Sequence, residues 1–373
     1  MSCDRSRRIC GAACRRNAIH DEDTSRYLRC TVEATLQEVL LNILVTGATG
    51  FIGGRLAEAL VKEGHQVRGL ARQTSDTSLL KTLDIEIING DIRDAAAMKK
   101  AVGDCQCVYH LAAKTTKDRL SKKQYYAHNV EGTKNVAQAA LNAGVNRLVY
   151  ASTIGVYGTV RNSSIDENAE PNPDSYYRET KLGGEKEVCR LHRDSGLSLV
   201  VARLGSVYGP GSCNWLDVCR KILEGNFRII GAGENPDHMV YVDDLVEGLR
   251  RCGDVKGVEG RTYIITGPEP AKLRQVLEII ADELGADTAL DSLPVTPFRV
   301  YQRLCGLVYR SFGIQLPRCH YYDLFLMSHI FTTTKAQEEL GYFPNVSLRD
   351  GFRRLLGWYR EKGYLPSVEE VQG

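Results

Sequence analysis

Tyr177 and Lys181 stand four residues apart in the stretch DSYYRETKLGGE, residues 174–185. On a helix that spacing puts both side chains on one face, whereas Tyr176, five before the lysine, points well round the cylinder. A free phenol ionises at about pH 10 and is a poor base at neutral pH. An ammonium group beside it favours the phenolate and lowers that value. A Tyr–Lys pair on one face can then take a proton from a substrate hydroxyl or return one to a carbonyl. Tyr-x-x-x-Lys also recurs by chance in ordinary helices, where both tyrosines would be surface aromatics. The choice rests on what the rest of the chain builds around the pair.

A second stretch, ILVTGATGFIGGRLAEAL, sets Gly47, Gly50 and Gly53 between a β-branched run and an amphipathic one. Glycines let the turn tighten and let backbone N–H groups approach a phosphate closely. The helix that begins there points its positive end at the same place. A glycine triplet alone is weak, but a strand before it and a helix after it make a dinucleotide site the better reading than a mere tight turn. At the end of the following strand an acidic residue would hold the ribose 2′-hydroxyl of NAD. The chain has Ala71-Arg72 there and no carboxylate before Asp76. An arginine can accept the 2′-phosphate of NADP, so NADP is favoured over NAD, with a solvated loop arginine as the plain alternative.

These residues need a scaffold, and the chain from residue 42 onward supplies a rhythm for one. NILVTGA, HQVRGLAR, IEIINGDI, CVYHLAA, RLVYAST and LSLVVARLGSVYG read as buried strands. GGRLAEALVKEG, DAAAMKKAVG, NVEGTKNVAQAALNAG and residues 175–194 read as helices. Apolar strands alternating with helices over short connections predict an α/β fold, a doubly wound parallel sheet covered on both faces. Its nucleotide-binding part is expected over 41–210. After about residue 210 the rhythm loosens, and 211–373 reads as a smaller mixed α/β substrate-binding region that returns strands to the sheet. Residues 1–38 are rich in Arg and Cys and lack such patterning. Residues 1–40 are read as a disordered extension or an artefact of the assigned start, with the true start near Leu41.

Composition narrows the function classes. The 373 residues carry a net charge of +2, with 43% hydrophobic and 25% charged residues, ordinary for a soluble globular protein. No basic stripe supports nucleic-acid binding. No run approaches the roughly 18 apolar residues of a membrane span, although the apolar 303–316 leaves peripheral membrane contact open. The 12 cysteines include no CxxC pair and no zinc-spaced Cys/His set, so scattered free thiols in a reducing, cytoplasmic setting and no metal are expected.

Over about residues 42–365 the chain resembles the extended short-chain dehydrogenase/reductase family, also called the NAD-dependent epimerase/dehydratase superfamily. The motifs occur in order: TGATGFIG at 46–53, GDIRD at 90–94, HLAA at 110–113, NVEGT at 129–133, STIGVYG at 152–158, YRETK at 177–181 and YVDDL at 241–245. The resemblance implies that Gly47, Thr49, Gly50, Phe51, Ile52 and Gly53 hold the dinucleotide, with Asp91 at the adenine beside Ile92. Leu111, Ala112 and Ala113 would line the cofactor cleft. Thr153 matches the catalytic Ser/Thr, and Tyr177 and Lys181 match the catalytic pair. Asn129 matches a supporting asparagine. Lys181 would also reach the nicotinamide ribose, and a homodimer is implied.

Two branches compete. One resembles 3-beta-hydroxysteroid dehydrogenases and dihydroflavonol reductases, acting on an apolar secondary alcohol or ketone. The other comprises nucleotide-sugar epimerases and dehydratases. The latter often carry RPxNVYGP where this chain has RLGSVYGP, with Leu204 and Ser206 at the differing places. They also often set an arginine before VYVDDL to grip a pyrophosphate, where this chain has Asp237, and a carboxylate repels a diphosphate. Residues 297–331 are dense in aromatic and aliphatic side chains, suited to an apolar pocket or a membrane-facing lid, or else to ordinary core. The apolar-substrate branch is the expectation. A non-catalytic protein on the same fold is a third class, disfavoured because Thr153, Tyr177 and Lys181 are intact.

Overall fold

A computed structural model of the protein describes residues 40–118, 120–159, 164–286, 291–316, 322–328 and 330–367. The expectation for residues 1–40 thus falls almost entirely outside the described residues. Seven strands form one sheet: β1 Asn42–Thr46, β2 Gln66–Ala71, β3 Glu86–Asn89, β4 Cys107–His110, β5 Arg147–Thr153, β6 Leu199–Leu204 and β7 Thr262–Ile265. Their order across the sheet is β7-β6-β5-β4-β1-β2-β3, and every pairing is parallel. This is the doubly wound arrangement that the strand–helix rhythm predicts, with β1 beside β4 where the winding reverses.

The central strands are buried on both faces, which is why they read as unbroken apolar runs rather than alternating ones. Successive residues of β1 go to opposite sides. Ile43 and Val45 pack with Leu56 and Leu60 of the helix Phe51–Lys62 and with Leu245 and Leu249 of the helix Val242–Asp254. Leu44 packs instead with Met98, Val136, Ala140 and Val188, from the helices Ala95–Val102, Thr133–Ala143 and Tyr176–Ser195.

LSLVVARLGSVYG does not stay in the sheet as one strand. It leaves at Gly205, and Ser206–Tyr208 pairs with Met239–Tyr241. The second half returns β7 to the sheet edge, lays the helix Val242–Asp254 and Leu340 on the Ile43 and Val45 side of the sheet, and builds a second core as well. Trp215, Ile229, Leu277, Phe352, Leu355 and Tyr359 meet there, with the Phe352 ring stacked on Tyr208 at 4.7 Å. Among the described residues no helix is long and apolar enough to cross a membrane.

Candidate active site

At the β1/β4 reversal Thr46 lies opposite His110, and the connections leaving the two strands cover opposite faces. Ligand crevices form at the carboxyl ends of the strands at such a point. A cavity of about 560 Å³ opens there. Gly47, Thr49, Gly50, Phe51, Ile52 and Gly53 line it from the loop after β1. Arg72, Asp91, Ile92, Leu111, Ala112 and Ala113 line it from the ends of β2, β3 and β4, and Tyr177 and Lys181 from across the sheet.

The loop has room for a phosphate because its glycines are required. Gly47 takes φ +77°, and a Cβ there would stand 2.9 Å from the backbone nitrogen of Ala112. A Cβ on Gly53 would stand 2.2 Å from the carbonyl oxygen of Gly47. The helix Phe51–Lys62 starts at Gly50 with no side-chain cap and no acidic residue in its first turn. Its leading N–H groups are therefore offered to the cavity, the arrangement that binds a pyrophosphate. Gly53→Ala forces the loop and the helix apart. Nucleotide affinity is expected to fall at least about tenfold, since the binding N–H groups no longer converge. Calorimetric titration checks this, and unchanged affinity would contradict it.

Asp91 accepts from Arg93 at both carboxylate oxygens, at 2.9 and 2.8 Å, and from the Arg93 backbone N–H at 2.9 Å. These bonds hold its carboxyl down at about 2, so it is an ionised acceptor at any working pH. Arg72 is exposed at the cavity and forms no ion pair among the described residues. A dinucleotide fits this donor and acceptor set: N–H groups at the pyrophosphate, a carboxylate for an amino group, and a free guanidinium beside the second strand.

Ser175 caps the helix Tyr176–Ser195 by accepting from Arg178 N–H, which fixes Tyr177 in the first turn and Lys181 one turn on. The Tyr176 hydroxyl donates to the carbonyl of Gly313 at 3.1 Å, and Tyr176 takes no part in lining the cavity. Thr153, half-buried, and Asn129, fully buried, are not among the residues that line the cavity. The Thr153 hydroxyl accepts from Gly155 N–H at 3.1 Å and stands near enough to the Tyr177 phenol to pull its pKa down.

The expectation that Lys181 lowers the Tyr177 pKa needs correction for the protein's own groups. Burial pushes the phenol up, and the forces opposing it are the Thr153 hydroxyl and the Arg178 charge. Lys181 Nζ turns elsewhere, donating to the Ala151 carbonyl at 2.6 Å and standing 4.4 Å from the centre of the Tyr150 ring. Burial pulls the ammonium down to about 7, against a smaller upward pull from the Glu185 charge.

Asn129 lies in a single π-helical turn, Ala127–Gly132, an irregularity often found at functional sites. Its side chain accepts from Lys114 N–H at 2.8 Å and donates to Lys114 O and Thr180 Oγ1, both at 3.1 Å. It ties the loop after β4 to the Tyr–Lys helix without touching the cavity.

His110 holds the neighbouring joint. Thr133 donates its one hydroxyl proton to Asn129 O, so it must accept from His110 Nε2, at 3.0 Å. That leaves Nδ1 to accept from Thr46 Oγ1 at 2.7 Å, and burial keeps the ring neutral by lowering its pKa to about 3.

Residues 43–266 match the family model described as the NAD dependent epimerase/dehydratase family. The chain belongs to that family. Among the family's relatives of this chain is sterol demethylase protein B of Methylococcus capsulatus. It is 29% identical over 87% of this chain and 100% of its own length. Isoform 2 of 3beta-hydroxysteroid-dehydrogenase/decarboxylase from Arabidopsis thaliana is 30% identical, over 84% of this chain and 61% of its own. A solved structure of the epimerase/dehydratase fold is DesIV, a dTDP-glucose 4,6-dehydratase of Streptomyces venezuelae with NAD and TYD bound. It is 27% identical with a TM-score of 0.70, over 88% of this chain and 100% of that one.

Some of the site escapes motif reading. Ser152 donates to Glu185 at 2.6 Å, and Glu185 pairs with Arg203 at 2.6 Å in a fully buried group. Arg203 in turn donates to the Tyr157 hydroxyl at 2.5 Å. The only sequence sign was a charged residue inside each of two apolar patterns. Lys114, Thr115 and Lys117 and the loop Gly211–Asn214 also line the cavity, and neither stretch has a spacing that marks it. The apolar run over 297–316 takes no part in that lining.

Proposed function

We propose that the protein is an NAD(P)-dependent oxidoreductase. It would move hydride between nicotinamide and a secondary alcohol or ketone on an apolar, steroid-like or flavonoid-like, substrate. The Gly47–Gly53 loop, Asp91 and the Leu111–Ala113 wall would hold the dinucleotide, with Lys181 at the ribose. When bound, the nicotinamide supplies the hydride acceptor or donor and, oxidised, a positive ring charge that favours the phenolate. Tyr177 takes the proton of the substrate hydroxyl, or gives its own to a carbonyl oxygen. Thr153 hydrogen-bonds the same oxygen. Asn129 acts as a positioning residue through Lys114 and Thr180.

The observation that carries the choice of substrate is Asp237. It is 9% exposed and accepts from Ser206 Oγ at 3.2 Å, at the place where nucleotide-sugar enzymes of this family often set an arginine. A diphosphate brought there meets a desolvated carboxylate, which repels it. The similarity to sterol demethylase protein B and to 3beta-hydroxysteroid-dehydrogenase/decarboxylase supports the same reading. The competing reading, a nucleotide-sugar epimerase or dehydratase, draws on the similarity to DesIV.

Screening hydroxysteroids and flavonoid-like ketones beside dTDP- and UDP-glucose tests it. Turnover of a sugar nucleotide with no turnover of any apolar alcohol or ketone would sink the proposal. The lean to NADP rests on Arg72. Arg72→Ser is expected to weaken NADP(H) binding at least about tenfold, the loss of a charge-assisted hydrogen bond, and to leave NAD(H) binding unchanged. Equal effects on both nucleotides would return Arg72 to the role of a solvated loop residue.

A further inference from the structure

The helix Thr296–Phe312 buries a single residue, Cys305, yet it is rich in apolar side chains. Val300 is 59% exposed, Leu304 49%, Leu307 57% and Phe312 73%, and Ile314 just beyond the helix is 53%. At about 100° per residue, Val300, Leu304 and Leu307 fall within about 60° of one another, facing away from Cys305 and Tyr309. Arg299, Arg303 and Arg310 make a second stripe within about 40°, along one side of the apolar one. The segment 292–316 holds these three arginines and no Asp or Glu. None of the three is in an ion pair among the described residues. An apolar stripe edged by unpaired cations on one helix is the pattern of a helix that lies in the plane of a bilayer.

We infer that the face of Val300, Leu304 and Leu307, with Arg299, Arg303 and Arg310 beside it, docks on an anionic lipid surface. Charge complementarity decides the occupant. In a symmetric contact between two copies the arginine stripes would share one interface and repel, whereas anionic headgroups attract them.

The face is also tied to the site. Tyr309 donates its hydroxyl to Glu179, and its ring lies 5.8 Å from that of Tyr176. Gln315 accepts from Tyr176 N–H at 3.0 Å. A docked helix would therefore hold the first turn that carries Tyr177 on its far side, about 10 Å, one helix diameter, from the lipid surface. The inference holds whichever substrate is turned over.

The test is sedimentation of the full chain with phosphatidylcholine vesicles, with and without phosphatidylglycerol. Binding is expected to need the anionic lipid and to fall as salt rises. The triple variant Arg299→Gln, Arg303→Gln, Arg310→Gln should lose about a hundredfold in affinity, at about fivefold per arginine. The triple variant Val300→Ser, Leu304→Ser, Leu307→Ser should lose at least about tenfold. Because all six side chains face outward, nucleotide binding and the melting temperature should stay as in the parent, which reports that the variants fold. Absence of binding to anionic vesicles, or binding that both triple variants keep, would overturn the inference. So would a lipid-free dimer in sedimentation velocity that the apolar variant dissolves, since the face would then belong to a second copy.

Discussion

Tyr177→Phe is expected to cut turnover by about 10³-fold, within the range that a positioned acid–base group contributes, and to leave nucleotide affinity within about twofold. The two results belong together. The phenol oxygen is the only heavy atom removed, and in the proposed reading the nucleotide is held by the glycine loop, Asp91 and Lys181. The loss should appear in kcat at saturating substrate, because the missing proton transfer belongs to the transition state and not to ground-state binding. Thr153→Ala should act in the same direction but less, since it removes the hydroxyl proposed to bond the substrate oxygen and not the phenol itself. Steady-state kinetics with a tritrated nucleotide concentration separates the two. Retention of more than a few per cent of turnover by Tyr177→Phe would move the chemistry to another residue.

Lys181→Met carries the second large effect, and its sign differs between activity and stability. Turnover should fall about 10²-fold, with a loss of nucleotide affinity, because the hold proposed for the ammonium on the nicotinamide ribose is gone. The protein without nucleotide should nevertheless become more stable. The buried ammonium has its pKa pulled down by desolvation from 10.5 to about 7. Between those values the unfolded chain binds a proton that the folded chain does not, so stability rises as pH rises through that window. Below pH about 7 the folded protein carries the full cost of a buried charge. Methionine is unbranched, one heavy atom shorter and uncharged, so the gain should be largest at and below neutral pH and vanish toward pH 10.5. Urea midpoints at several pH values read this directly, and a gain that grows with pH would contradict it.

The parts of the site legible in the sequence are those built by local geometry. Gly47, Gly50 and Gly53 are needed because a strand must turn into a helix within a few residues, and that need is written in the spacing. Tyr177 and Lys181 share a helix face by periodicity alone, and Ser175 marks where the helix starts. The sheet follows from apolar strands alternating with helices, and its order places β1 beside β4.

Contacts across the sheet were not legible. Lys181 meets Ala151 on β5, thirty residues away in the chain, and this contact turns the ammonium from the phenol. Glu185 and Arg203 look like misplaced surface charges until β5, β6 and the Tyr–Lys helix bring them together with Ser152. Asn129 could be matched to a motif, but its hold on Lys114 depends on a π-turn that no propensity predicts. The helix Thr296–Phe312 shows why periodicity alone is not enough. Its apolar density is plain in the sequence, and only the fold reveals that Val300, Leu304 and Leu307 form one stripe and face outward.

The most direct test of the account counts product against nicotinamide. The purified protein would be given a known amount of NADPH or NADH with a steroid-like ketone, and in parallel the oxidised nucleotide with dTDP-glucose. Product and change in nicotinamide absorbance would be followed together. Net oxidoreduction through Tyr177 predicts one alcohol formed for each nicotinamide oxidised, and none with Tyr177→Phe. Many sugar nucleotides converted per nicotinamide, with no lasting change in its absorbance and no reaction of the ketone, would contradict it.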